Sequence, residues 1–528
     1  MCGIAGILSS ERLPEPVAGR LPAMLQSLRH RGPDDAGTYR SPGGHAALAH
    51  ARLSILDLSP AGHQPMSTPD GRLTIVFNGE IYNFQELRQP LIEQGVVFRS
   101  NSDTEVILRA YEAHGPACVE QLRGMCALAL WDDREKTSLL ARDPFGIKPL
   151  YYHEAGGRLA FASEVRALLA SGLVSRELDA AGLHGYFRTG SVPEPRTLLR
   201  DARCLEAGHW AMWQAGRLQP RQYWKMHFAP EPVSPPDAVS RTRAALLDSV
   251  EHHFISDVPV GVFLSGGIDS TALVALARSA GRRELHTYSI TFPGAPNDEG
   301  ALARKTAEHF GTRHQEWPLE AATGRELFGQ FLRAMDQPSI DGLNTFSVAK
   351  FARDRGMKGV LSGMGGGELF GGYPSFRKVP QLARWSRRLQ LLGPARAGAQ
   401  AMLRRAGRPP LRRLGELLGQ PARLDTAYAA LRGTFTAAEA TTLTRHYTRE
   451  EVTEVAPAEE FATDPTPEDA VSRLEMTRYL RNQLLRDSDV MSMTHGLELR
   501  VPVLDLPLMD ALARIPAATR LQAGKRFL

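Results

Sequence analysis

Two rhythms of apolar and polar positions divide this chain. Over the first ~200 residues, short apolar runs alternate with Gly, Pro, Asn and Asp clusters, which predicts strands joined by turns, with a few helices. "RLTIVFNGEIYN" (72–83) reads as a strand, a turn and a second extended start. The 126–163 stretch reads as successive strands with hairpin turns at Asp132-Asp133 and Gly156-Gly157. Between them, Leu87, Leu91 and Ile92 have helical spacing over 85–94, although Pro90 opposes a helix there.

A proline-rich break, "HFAPEPVSPPDA" (227–238), has the composition of a linker. Beyond it the rhythm becomes buried strand, glycine loop, helix. "VPVGVFL" is a continuous apolar strand, "SGGIDS" a loop and "TALVALARSA" a helix; "LHTYSITF" is the next strand, "EGALARKTAEHF" a helix and "MKGVL" a further strand. Alternation of this kind predicts a parallel sheet with crossover helices. From about Arg377 to Arg432 the chain is Arg- and Leu-rich with helical spacing, which predicts an amphipathic layer with a solvated basic face.

Composition narrows the class. At 528 residues the chain exceeds one ordinary core, and its 43% hydrophobic and 23% charged content is that of a water-soluble globular protein. A net charge of +5 over this length gives a mild bias toward anionic ligands, and no nucleic-acid motif accompanies it, so no nucleic-acid partner is expected. Four cysteines without CxxC spacing argue against a disulfide framework and for a cytoplasmic setting. The N-terminus lacks a basic region and an A-x-A cleavage site, so no signal peptide is expected, and no apolar run is long enough for a membrane span.

Three places carry candidate chemistry. Removal of Met1 would leave the Cys2 thiol beside a free α-amine, whose ordinary pKa of about 8 suits a base at neutral pH. "FLSGGIDST" (263–271) joins an apolar strand to a helix, where small residues let backbone N–H groups reach an anion; it lacks the G-K-[ST] of a Walker A loop. "VLSGMGGGELFGGYPSF" (360–376) holds six glycines and one carboxylate, Glu368, after another strand.

The phrases "CGIAGIL", "RHRGPDD", "ARLSILDLS", "FNGEIYN", "SDTEV" and "RDPFGIKPLYY", in this order, closely resemble the glutaminase domain of N-terminal-nucleophile glutamine amidotransferases of asparagine synthetase type. "SGGIDS" resembles the pyrophosphate loop of ATP pyrophosphatases. "DQPSIDGLN" and "LLRDSDVMSMTHGLELRVPVLD" resemble the synthetase domain, the latter being too charged for a simple core helix. The resemblance implies an αββα N-terminal-nucleophile sandwich (α+β) over residues 2–215. A linker over 216–238 and an α/β parallel-sheet ATP pyrophosphatase domain with extra helices over 239–528 complete the implied chain.

By resemblance, Cys2 attacks the glutamine side-chain amide, with the oxyanion held by Asn78 and Gly79. Arg52, Leu53, Ser54, Ile55, Glu80 and Asp103 bind the rest of glutamine. Ser265, Gly266, Gly267 and Ser270 cradle ATP phosphates, Leu264 and Ile290 contact the nucleoside, and Ser362 and Gly363 face the same crevice. Asp269 holds Mg²⁺, and Lys525 in "AGKRFL" stabilises charge during adenylation and amide formation. The implied reactants are glutamine, aspartate or a related carboxylate, and ATP with Mg²⁺, with no prosthetic group and no membrane partner. A homodimer is the implied assembly. The chain ends three residues after Lys525, short of where such proteins usually end, so a truncated C-terminus is expected.

Two positions depart from the pattern. The family usually reads SGxGGDELFGGY or SGEGADELFGGY, and its Asp supplies a second carboxylate for Mg²⁺; here that residue is Gly367. Losing an anionic ligand should weaken the metal. Met364 stands where some members have Glu. Beside glutamine-dependent asparagine synthesis, two alternatives stay open. One is a specialised amidotransferase acting on another carboxylate; the other is a glutaminase or scaffold whose adenylation site is impaired at Gly367.

Overall fold

The computed structural model describes residues 2–295, 298–391, 393–450, 452 and 464–522. Two six-stranded antiparallel sheets make up the N-terminal half. Alternate residues of the Gly3–Ser9 strand explain how they stack. Ile4 and Leu8 join Val76, Ala129, Trp131 and Phe161 in a core between the sheets, whereas Ala5 and Ile7 pack outward with Met24 and Leu168 of two covering helices. The second sheet turns Ile75 and Leu128 outward onto the Phe84–Glu93 and Asp103–His114 helices. Four layers result, αββα, and strands covered on both faces read as continuous apolar runs. Gly6 is needed inside: a Cβ there would lie 2.4 Å from the Phe161 ring.

Both predicted hairpins form, between Gly124–Asp132 and Thr137–Arg142 and between Tyr151–Ala155 and Arg158–Ala162. The helix around Pro90 forms as Phe84–Glu93, held by the burial of Phe84 and Leu91 despite the proline. The turn of the 72–83 stretch comes only at Tyr82 and Asn83, after an unbroken strand and directly before a helix, so no second extended segment starts there, contrary to the sequence reading. Leu73–Ile81 is one strand, with Asn78 and Gly79 in mid-ladder opposite Ala127 and Cys126. Gly79 adopts φ +155°, and a Cβ there would sit 2.0 Å from the Met125 carbonyl oxygen, so only glycine lets the strands meet.

The sheet gains its last strand, Arg217–Gln222, from the segment read as the start of the linker. Past that strand the chain stays anchored. Met226 and Phe228 are buried, and the Ala229 and Glu231 amides donate to the Ala513 and Arg514 carbonyls at 3.0 and 2.8 Å. A helix then begins at Pro235.

The C-terminal half is built on a five-stranded parallel sheet ordered Arg313–Pro318, His286–Thr291, Val260–Phe263, Gly359–Leu361, Glu498–Arg500. The strand order reverses beside Val260–Phe263, and the carboxyl ends of the strands flanking such a reversal open a crevice. Helices Ser375–Gln390, Pro394–Arg404, Pro409–Leu418, Leu424–Arg432 and Ala437–Thr448 form a further layer. The charged 484–505 stretch departs from expectation: Arg486–Met493 is a fully buried helix, stabilised because its charges find partners.

Candidate functional site

Two sites emerge, one in each half. At the first, the backbone nitrogen of Cys2 donates to Asn78 Oδ1 at 3.0 Å, and its carbonyl oxygen accepts Arg31 Nε at 3.0 Å. The thiol lies 4.0 Å from the Leu53 carbonyl oxygen, and burial is the main cause that pushes its pKa up. Asn78 is fully buried, and its Nδ2 has no partner among the described residues. An orphaned amide donor beside a thiol is what a developing oxyanion would complete.

Of the other expected glutamine contacts, Leu53 touches the thiol through its carbonyl and Glu80 is near enough for its charge to act on it. Arg52 is 6% exposed, and its guanidinium donates to the carbonyls of Leu56, Asp57 and Ser59. Carbonyls orient it without cancelling its charge. Leu53 and Ile55 are buried; the Ser54 amide donates to Asp34 Oδ2 at 2.9 Å, and the Ile55 carbonyl accepts from Asp257. Asp103 starts a helix and accepts the Ile81 amide at 2.9 Å, while burial pushes its pKa up to about 6. Burial, reinforced by Glu498, raises the Glu80 carboxyl well above its usual range, even with Arg500 at 3.5 Å.

The second site is a cleft of about 470 Å³ at the predicted crevice. Leu264, Ser265, Asp269, Ser270, Ile290, Ser362 and Gly363 line it. The Ser265 amide donates to Ser270 Oγ, which in turn donates to the Gly267 carbonyl, bracing the loop at the start of the Ile268–Ser279 helix. Gly266 does not line the cleft. At φ +77° it faces the neighbouring helix, where a Cβ would lie 2.8 Å from Leu302 Cβ. Gly267 caps the helix and likewise lies outside the lining.

Close packing accounts for the glycines of the 360–376 loop. A Cβ on Gly366 would sit 2.7 Å from Asp269 Oδ1, and one on Gly363 2.8 Å from Asp269 Cβ, so these glycines admit the Asp269 carboxylate. At Gly367 a Cβ would meet Tyr373, 2.7 Å from Cζ and 2.9 Å from the hydroxyl oxygen. That hydroxyl donates to Glu368 Oε1 at 3.0 Å, and Arg432 lies 4.5 Å over the ring. Glu368 is turned inward and lines the cleft. Met364 lines it too and accepts a contact from Ser488 Oγ at 3.2 Å. Lys525 lies outside the described residues.

Several buried charges escaped sequence reading. Arg31, fully buried, pairs with Glu164 at 2.9 Å and with Asp489 of the other half at 2.8 Å. Lys148 lies 3.4 Å from Asp489, and Arg500 reaches back to Glu80. "RHRGPDD" and "RDPFGIKPLYY" contain Arg31 and Lys148, but nothing local marks either as interior. An apolar cluster also joins the sites: Leu53 and Ile55 beside Cys2 belong to the same core as Leu369 and Leu504, against which Met364 packs.

The architecture is thus an αββα amidotransferase-type sandwich fused to an α/β nucleotide-binding-type domain. Residues 1–224 match the glutamine amidotransferase domain and residues 241–527 match asparagine synthase. The chain is 32% identical over 539 residues to asparagine synthetase (glutamine-hydrolyzing) 1 of Bacillus subtilis, covering 99% of this chain and 82% of that one. It is 32% identical over 400 residues to asparagine synthetase B (glutamine-hydrolyzing) of Escherichia coli, covering 72% and 66%. Amidase chry2 of Gibberella zeae is 30% identical over 407 residues, covering 71% and 60%. The chain belongs to the asparagine synthase family.

Proposed function

We propose that the chain is an ATP-dependent amide ligase that makes asparagine with nitrogen taken from glutamine. Once Met1 is removed, the Cys2 α-amine takes the thiol proton and the thiolate attacks the glutamine carboxamide carbon. Asn78 Nδ2 and the Gly79 N–H hold the oxyanion, the α-ammonium returns its proton to the departing nitrogen so that ammonia leaves, and water then releases glutamate from the thioester and restores the thiol. Arg52 binds the α-carboxylate of glutamine, Glu80 and Asp103 bind its ammonium, and Leu53, Ser54 and Ile55 frame it.

In the cleft, an aspartate β-carboxylate oxygen attacks the α-phosphorus of ATP and displaces pyrophosphate. Ammonia then attacks the β-carbonyl carbon and AMP leaves. Ser265 and Ser270, on the cleft wall, hold phosphate at a helix N-terminus, where N–H groups and the helix dipole favour anions, while Gly266 and Gly267 shape the turn between them. Leu264 and Ile290 contact the nucleoside, with Ser362 and Gly363 across from them. Mg²⁺ takes one or two carboxylates plus phosphate oxygens and water, and the Asp269 carboxylate, let in by Gly363 and Gly366, fits that donor set. Bound there, Mg²⁺ would offset triphosphate charge. Lys525 is assigned charge stabilisation by resemblance alone. Ammonia crosses along the apolar core that contains Leu53 and against which Met364 packs. The working form is a cytoplasmic homodimer.

The observation that carries the reading is Asn78, bonded to the Cys2 nitrogen through one amide atom while the other is buried without a partner among the described residues. Aspartate-dependent ATP–pyrophosphate exchange with Mg²⁺ tests the synthetase half; its absence in both the parent and a variant with the family's Asp at position 367 would remove aspartate as the acceptor. Cys2→Ala should abolish glutaminase activity while leaving ammonia-dependent synthesis; surviving glutaminase activity would refute the nucleophile. One observation favours a second reading, a glutaminase with an impaired synthetase half: Tyr373 fills the space beside Gly367. The same exchange assay separates the two.

A further inference from the structure

The outer helical layer carries a feature that neither site uses. From Leu369 to Gly415 the sequence has eleven Lys or Arg residues and no Asp or Glu. The whole chain has a net charge of +5, so everything outside this stretch is net negative. The charge is also sorted by face. In the Ser375–Gln390 helix, Phe376, Val379, Pro380, Ala383 and Ser386 point inward, while Arg377, Lys378, Arg384, Arg387 and Arg388 are exposed. Trp385 shares that outward face at 39% exposure, and Leu391, just past the helix, is 85% exposed. The next helix, Pro394–Arg404, has no buried residue and presents Met402 at 69%. Among the described residues, Arg412 is the one member of this cationic set in an ion pair, with Glu439 at 2.6 Å.

A merely solvated basic face, which the sequence pattern predicts, leaves the outward Trp, Leu and Met without a role. An anionic lipid surface uses both classes of residue: headgroups attract the cations, and apolar side chains enter the headgroup–acyl boundary. Nucleic acid would use the cations but gains little from Leu391 and Met402. We infer that this layer docks the protein peripherally on an anionic bilayer, through the outward face of Ser375–Gln390 together with Leu391 and Met402. The contact is superficial, since among the described residues no helix is long and apolar enough to cross a membrane. Tyr373, a wall of the cleft, lies two residues before this helix. At 1.5 Å per residue the helix is about 24 Å long, so docking holds the cleft within about that distance of the lipid.

Co-sedimentation of the full chain with vesicles tests this, using phosphatidylcholine alone and phosphatidylcholine mixed with phosphatidylglycerol. Binding to the anionic vesicles only, weakened by salt, is the expected result. Neutralising three cations in Arg384→Gln/Arg387→Gln/Arg388→Gln should weaken binding about 100-fold, at about fivefold per cation. An unchanged glutaminase rate in that variant shows that it is folded. Brominated lipid should quench tryptophan fluorescence in the parent more than in Trp385→Phe. No binding to anionic vesicles, no effect of the triple variant, or equal quenching in both proteins overturns the inference. Retention on duplex DNA without vesicle binding also overturns it, and assigns the surface to nucleic acid.

Discussion

Restoring the family's carboxylate by Gly367→Asp is the most informative single change, and the structure gives its cost. The new Cβ would lie 2.7 Å from Tyr373 Cζ and 2.9 Å from its hydroxyl oxygen, closer than real Cβ contacts come, so the ring must move. Moving it breaks the 3.0 Å hydrogen bond to Glu368, about 1–3 kcal/mol, and adds about 1–3 kcal/mol of overpacking. The single variant should therefore lose about 2–6 kcal/mol of stability. Tyr373→Ala alone removes a ring packed beneath Arg432 and costs about 3 kcal/mol. Because the two changes act on one space, the double variant should be at least about 2 kcal/mol more stable than additivity predicts. Urea midpoints of the four proteins measure this coupling, and Mg²⁺ with ATP should stabilise the double variant more than the parent. If Gly367→Asp unfolds at the same urea concentration as the parent, Tyr373 does not hold that space and the reasoning fails.

Three further outcomes are expected. Burial raises Asp103 to about 6, so the stability its protonated form contributes is complete below about pH 4 and is lost as pH rises through about 6. The glutamine ammonium needs the ionised form, so the glutaminase KM should fall over the same interval; a pH profile unchanged in Asp103→Asn would refute the assignment. Asp489→Asn, outside the amidotransferase domain, removes the charge 2.8 Å from Arg31 and should cost about 3 kcal/mol while lowering glutaminase kcat. Unaltered kcat and unfolding midpoint would show that Arg31 does not position Cys2. Arg123 joins Asp248 and Asp505 of the second half at 2.6 and 2.5 Å, so Arg123→Ala should speed proteolysis within residues 227–238; cleavage at the parent's rate would count against it.

How much of the fold could be read in the sequence depends on how local each cause is. The Val260–Phe263 strand, its glycine loop and the Ile268–Ser279 helix were legible because a continuous apolar run, small residues and an amphipathic stretch succeed one another. The second extended start expected within 72–83 did not appear because the strand runs on through Asn78 and Gly79, where the Met125 carbonyl presses against Gly79 from a strand remote in sequence. The start of the linker was misplaced because Arg217–Gln222 is mostly exposed and polar, so its strand character comes from pairing with His209–Gln214. Arg31, Lys148 and Arg500 were invisible as interior residues. Their types are usually exposed, and only partners far along the chain make their burial tolerable.

Those same charges bear on how independent the two halves are. Arg31 holds the Cys2 carbonyl through Nε and spends its other nitrogens on Glu164 and on Asp489 of the second half. Lys148, 1% exposed, forms its one ion pair among the described residues with Asp489. Glu80, an expected glutamine contact, faces Arg500, which is itself held by Glu498 and by the His253 and Ile255 carbonyls. Taking the second half away would remove Asp489 from both Lys148 and Arg31. The backbone of the candidate nucleophile is therefore positioned partly by residues of the domain that would receive the ammonia. Helix Arg486–Met493, which carries Asp489, also carries Ser488 against Met364 at the cleft. A shift of that helix when the cleft fills would thus be felt at Cys2 through one side chain, Arg31.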